Sequence, residues 1–111
     1  MDKLENYRTI IQQIVYAHAQ HRPSHGDIEP LPLCNLDADS YLLLDIGWGK
    51  TGRVHSMAFH VRIKNGKIWI EWDGTDPGIA QELVDAGIPQ EDIVLGFYRP
   101  ERREITGFAV A

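Results

Sequence analysis

The sequence predicts an α+β domain: an antiparallel meander sheet with an N-terminal helix and a second helix packed on one face. Three observations carry this. An apolar stripe of helical period opens the chain, an Asn-Gly dipeptide separates two alternating stretches, and a second amphipathic stretch follows an Asp-Pro pair. One domain, 1–111, accounts for the whole, because 111 residues is close to the commonest domain size.

From Asp2 to about His21, Leu4, Tyr7, Ile10, Ile11, Ile14, Val15 and His18 line one helical face, and Lys3, Asn6, Arg8, Gln12, Gln13 and Gln20 fall on the other. Pro23 and Gly26 are expected to stop this helix. A turn at Ser24-His25-Gly26-Asp27 leads into an extended segment, Ile28 to Leu36. Pro30 and Pro32 lack amide donors and assign it to a sheet edge. After the turn cluster Asp37-Ala38-Asp39-Ser40, a strand runs from Tyr41 to about Trp48, with Leu42, Leu44, Ile46 and Trp48 on one face.

Gly49 to Gly52 turns the chain back. The next strand, Arg53 to Ile63, places His55, Met57, Phe59, Val61 and Ile63 on one side and Val54, Ser56, Ala58, His60 and Arg62 on the other. Asn65-Gly66 is the strongest local signal, since a two-residue type I′ turn needs positive φ at both positions. Uninterrupted pairing from that turn sets Ile63 against Ile68, Val61 against Ile70 and Phe59 against Trp72 on the buried face. It sets Arg62 against Trp69 and His60 against Glu71 on the other.

Asp73-Gly74-Thr75 ends that strand. Asp76 as N-cap and Pro77 as first helical residue predict a helix to about Ala86, with Ile79, Ala80, Leu83 and Val84 facing the sheet and Gly87 as the stop. Ile93 to Phe97 reads as another strand, Pro100 to Glu104 as a charged turn or short helix, and Gly107 to Ala111 as a final extended segment.

Composition narrows the function classes. Hydrophobic residues at 43% and charged residues at 24% are ordinary globular values. No apolar run approaches the roughly 20 residues of a membrane span, and the N-terminus lacks a signal-peptide layout, so a cytoplasmic protein is expected. Cys34 is the only cysteine, which excludes an intrachain disulfide and suits a reducing compartment. A net charge of −5 disfavours direct contact with nucleic-acid backbones, whose non-specific affinity comes from Lys and Arg.

Chemical motifs are weak. Gly49-Lys50-Thr51 resembles the end of a phosphate-binding loop, but position 44 is Leu where the first glycine belongs, and a strand follows where a helix is needed. His18, His21 and His25 have partial metal-ligand spacing without supporting carboxylates, so no metal and no cofactor is expected. His60 opposite Glu71, with Asp73 nearby, is the most catalytic pattern, because a carboxylate beside an imidazole orients it. A cross-strand surface pair is the plainer reading.

Trp69 faces away from the Ile68, Ile70 and Trp72 row. Either the chain's own C-terminal segment, or a second subunit or another protein, is expected to cover it, and Arg62 is the kind of neighbour such contacts favour. The run Arg99-Pro100-Glu101-Arg102-Arg103-Glu104 mixes both signs, as solvated turns do. Trp48, His60, Arg62, Trp69, Glu71, Asp73 and Arg103 are the candidate interface or functional surface.

Taken in order, the residues resemble a known family. Leu4, Tyr7 and Ile11 open the pattern, with Tyr41 before Gly47-Trp48. Asn65-Gly66-Lys67-Ile68-Trp69-Ile70 follows, ahead of Asp73-Gly74-Thr75, Gly78-Ile79-Ala80, Leu83-Val84 and Gly87-Ile88-Pro89. Glu91-Asp92-Ile93-Val94-Leu95, Phe97, Pro100, Arg103, Thr106 and Phe108-Ala109-Val110-Ala111 complete it. The chain is similar to the XisI family, controlling factors associated with excision of the fdxN DNA element in cyanobacteria.

That resemblance implies an α+β fold, no catalytic residues to carry over, and action with a companion, XisH, in controlling a site-specific recombinase. XisH-like proteins resemble restriction-type nucleases, which suggests a regulatory or antitoxin-like partner role. Asp76 and Tyr98 depart from the family pattern, where Glu and His are frequent. A non-enzymatic binding module, able to form a homodimer, is the expected function, with DNA reached only through partners. The competing expectation is a weak metal-dependent or DNA-modifying enzyme built on His60, Glu71 and Asp73.

Overall fold

The N-terminal stripe folds as helix α1, Lys3–Ala19, in a computed structural model that describes residues 2–21, 27–76 and 78–111. Asp2 is its N-cap: the carboxylate accepts from the Glu5 amide at 2.8 Å, satisfying one of the orphan donors of the first turn. Tyr7, Ile11 and Val15 are buried, with Leu4, Ile10 and Ile14 packed beside them, so the predicted stripe is the packing face. The helix ends two residues before His21, and the expected stop at Pro23 and Gly26 lies outside the described residues.

Five strands form one sheet in the order β1 (Asp27–Asn35), β2 (Ser40–Gly49), β3 (Gly52–Lys64), β4 (Lys67–Asp73) and β5 (Ile93–Leu95). The first four are the antiparallel meander the sequence predicts. β5 differs: it is three residues long instead of reaching Phe97, and it lies parallel to β4. Helix α2, Ile79–Asp85, and a 3-10 turn at Gln90–Asp92 lie between them. Such a crossover is what parallel neighbours require. β1 occupies the edge, where its two prolines are tolerated. The helix expected over Pro100 to Glu104 is a single turn, α3, Pro100–Arg103.

Asn65 and Gly66 have φ of 54° and 77°, the two positive values of the predicted turn. Pairing follows the expected register through Ile63–Ile68, Arg62–Trp69 and Val61–Ile70, and then shifts. Glu71 is an extra residue in β4, so His60 pairs with Trp72 and Phe59 with Asp73. The expected pairs Phe59–Trp72 and His60–Glu71 do not form. A β-bulge sets two residues against one, and every side chain beyond it changes phase. Phe59 is fully buried and Trp72 is 53% exposed.

A second bulge corrects the face assignment of β3. Leu43 pairs with Phe59 but Leu44 with Met57, so Ala58 is the extra residue. His55 and Met57 therefore leave the face of Phe59, Val61 and Ile63. At the far end, Gly47 (φ 151°) lets β1 come close: a Cβ there would lie 1.9 Å from the Asp27 carbonyl oxygen. No side chain fits in that space.

Helix α2 also starts later than predicted. Its N-cap is Gly78 and not Asp76, and the Ile79 amide is satisfied at 2.7 Å by Asp73, which reaches forward from the end of β4. Pro77 lies outside the described residues. Ile79 and Leu83 are buried as expected, with Ala80 and Val84 beside them. Cys34, partly buried against the core beside Tyr41, is a packing residue whose thiol pKa burial pushes up.

Polar ties hold the helices in place. The Tyr7 hydroxyl donates to Asp92, Lys3 lies 2.8 Å from the same carboxylate, and the Arg8 guanidinium grips Asp39 through two bonds of 2.7 and 3.0 Å. The Arg8 bonds hold the Asp39 carboxyl below its ordinary value, and Lys3 followed by Tyr7 does the same for Asp92. A carboxylate depressed on folding stabilises the fold above its unfolded pKa, near 3.9, and loses that contribution as pH falls through the lower folded value. The urea midpoint is therefore expected to fall on acidification below about pH 4. In Arg8→Met the acid slope becomes shallower, because the Arg8 part of the Asp39 share is lost and only the Tyr41 bond remains; an unchanged slope refutes this assignment.

Candidate functional site

β2 is apolar on both faces. Tyr41 and Leu43 enter the core with Phe59, Val61, Ile63, Ile68 and Ile70, on the side where α1 and α2 pack. Leu42, Leu44, Ile46 and Trp48 alternate with them and point to the reverse face. Cross-strand partners share a face, so Leu33 and Leu31 of β1 join Leu42 and Leu44, and Met57 of β3 joins Leu44. Trp72, displaced by the β4 bulge, completes the row beside His60. Trp48 is 60%, Leu33 43% and Met57 36% exposed. Among the described residues no helix lies across this part of the sheet.

Polar groups border the apolar surface. The Arg53 guanidinium stands 5.6 Å from the centre of the Trp48 ring, a cation–π placement that keeps the indole extended. His60 Nε2 is 2.7 Å from Ser40 Oγ, and Arg62 pairs with Glu71 at 3.0 Å. Burial lowers the His60 pKa, opposed by the Glu71 charge. At the β1–β2 turn a wide groove of ≈ 830 Å³ opens between Leu33, Leu36, Ser40 and Leu42.

Trp69 sits on the same face but is partly covered by its own chain. Arg103 lies 5.2 Å from the centre of its ring, and Lys64 lies 4.8 Å away. The Arg103 fork donates to Leu95 and Gly96 (3.3 Å each), Tyr98 (3.0 Å) and Val110 (3.2 Å), binding four carbonyls of the C-terminal segment together. Ala109 donates to the Ile93 carbonyl at 2.8 Å, and Lys67 to the Ala111 carbonyl at 2.6 Å. Arg103 and Gly96 of the C-terminal segment, with Lys64 of β3, thus partly cover Trp69. Its indole N–H is buried with no acceptor among the described residues.

The catalytic pattern does not assemble. Asp73 is occupied: it accepts from the Thr75 amide (2.9 Å), the Thr75 hydroxyl (2.5 Å) and Ile79. His60 is bonded to Ser40 and Glu71 to Arg62, and no hydrogen bond joins the three. The bulge that gives His60 a tryptophan for a partner is the cause. His18 is bonded to Glu82 of α2 at 2.8 Å and packs edge-on against Phe59, and His25 lies outside the described residues. Among the described residues no group of three His, Cys, Asp or Glu side chains is placed to hold a metal ion. Gly49-Lys50-Thr51 lies at the β2–β3 hairpin turn.

Trp48 was readable from the sequence as a surface candidate, but Leu33, Leu42, Leu44, Met57 and Trp72 were not. The run Tyr41-Leu42-Leu43-Leu44 held the signal, since a strand apolar on both faces needs two partners. A polar cleft of ≈ 300 Å³ on the helix side was also not foreseen. His18, His21, Asp45, Ser56 and Thr75 line it, and burial pushes the Asp45 carboxyl up.

Comparison with known proteins places this geometry. The XisI protein family matches residues 1–110. The fold is similar to the crystal structure of a XisI-like protein from Anabaena variabilis, with 34% identity and a TM-score of 0.89 over 98% of this chain and 100% of that one. It is also similar to the fdxN element excision controlling factor XisI from the same organism, with 40% identity and a TM-score of 0.82 over 99% and 100%. No curated protein matches the sequence. With the family pattern and the fold both shared from one end of the chain to the other, this protein belongs to the XisI family.

Proposed function

We propose that this chain is a non-enzymatic regulator that docks on an XisH-like companion and through it controls excision of a DNA element. The uncovered apolar face of β1–β3 is the observation that carries this reading. An apolar surface of this kind, tipped by an extended tryptophan beside an arginine, has the composition of an interface core. The net charge of −5 suits a basic partner and speaks against the chain gripping DNA itself. Family membership supports a controlling role, and the engagement of His60 by Ser40, of Glu71 by Arg62 and of Asp73 by Thr75 and Ile79 speaks against a catalytic constellation.

Co-expression with the XisH-like protein is expected to yield a complex. Trp48→Ala should weaken it by about thirtyfold, the effect of losing an aromatic anchor worth about 2 kcal/mol, without changing the fold. Nuclease or excision activity of the companion should change when this chain is added. DNA cleavage by this chain alone, lost in Glu71→Gln, would overturn the proposal in favour of an enzyme.

A further inference from the structure

Several stretches of backbone border the sheet among the described residues, and two of them are blocked. The β1 edge carries Pro30 and Pro32, which offer no amide hydrogens. The β5 edge is taken by the C-terminal segment through the Val94–Ala109 bridge. A third stretch is the first half of β3. β4 pairs only with Phe59 to Lys64, and the last bond, from the Gly74 amide to the Ala58 carbonyl, is 2.8 Å long. Gly52 to Met57 are hydrogen-bonded to β2 on one side, and among the described residues they have no strand on the other.

This stretch, Gly52-Arg53-Val54-His55-Ser56-Met57, contains no proline and one fixed charge, Arg53, ends at the Ala58 bulge, and among the described residues is paired to no strand on its outer side. Its exposed groups are alternating amides and carbonyls, so its occupant is another extended backbone. We infer that the occupant is the same stretch of a second copy, joined antiparallel about His55 so that the two sheets become one.

A twofold axis through the sheet keeps like faces together and requires each residue to pair with one on its own face. Centring on His55 sets Arg53 against Met57, Val54 against Ser56 and His55 against its own copy. No pair opposes two charges of fixed like sign, and the methionine side chain covers the arginine stem. Shifting the centre to Val54 sets Arg53 against His55 and brings in the Gly52 turn. The His55-centred register is therefore the complementary one. It also makes the apolar faces of both copies, Trp48 included, one continuous surface. This inference stands apart from the docking reading, since it concerns an edge and not a face.

The test is sedimentation of the full chain at tens of micromolar, for the wild type, for His55→Asp and His55→Lys alone, and for the two variants mixed in equal amounts. The wild type is expected to be a dimer. Each variant opposes two like charges at the axis and should weaken the dimer about a hundredfold or more, with an unchanged circular dichroism spectrum. The mixture should restore it, since the opposed charges then attract. Hydrogen exchange of those amides from Val54 to Met57 that point away from β2, slow when concentrated and fast on dilution in the wild type, gives a readout without substitutions. A monomeric wild type, variants that dimerise as the wild type does, or a mixture that stays monomeric would each overturn the inference.

Discussion

Phe59→Ala is expected to lower the stability of this protein by about 3–5 kcal/mol, the range for an aromatic side chain deleted from a packed core. Trp72→Ala, although it removes a larger side chain from the next strand, should cost less than about 1 kcal/mol. The contrast follows from the β4 bulge. Phe59 is fully buried beneath His18, whereas Trp72 is pushed to the reverse face and is 53% exposed. Uninterrupted pairing would make the two residues neighbours on one buried face, with comparable losses. Urea unfolding of both variants decides between the two arrangements, and equal losses would show that β4 has no bulge at Glu71.

Arg103→Met is expected to cost about 2 kcal/mol, since hydrogen bonds to a charged donor each contribute more than neutral ones and four carbonyls lose theirs together. Arg103→Lys should recover less than half of that, because a point charge cannot reproduce the planar fork. The C-terminal segment should loosen in both. In a background of Trp48→Phe and Trp72→Phe, Trp69 emission should shift to the red and become accessible to acrylamide. Trp69→Phe should cost little by comparison, since it retains an aromatic ring and removes a buried N–H that has no acceptor. If Arg103→Met leaves both the urea midpoint and the Trp69 emission unchanged, Arg103 is not the clasp.

Much of the fold was legible for a simple reason. Apolar period, turn dipeptides and helix stripes are local, and they identified α1, the order of the strands, the Asn65-Gly66 turn and the α2 face. Trp48, Trp69, Arg103 and Asp73 were singled out by the sequence as unusual. Their roles were not legible. Asp73 caps a helix six residues ahead, Arg103 clasps a segment that passes over Trp69, and Trp48 stands at the far end of an open face.

By itself the sequence determined the α+β class, the meander, the edge position of the proline-bearing strand and the register next to the turn, because each depends on neighbours within a few residues. Only the tertiary structure decided where the two bulges fall, that β5 returns parallel to β4, and that Trp69 is partly covered while Trp48 and Trp72 stand exposed. A bulge leaves no mark in the alternation of a single strand. It arises when two strands of different twist must both satisfy one core, and one extra residue then reverses every side chain beyond it.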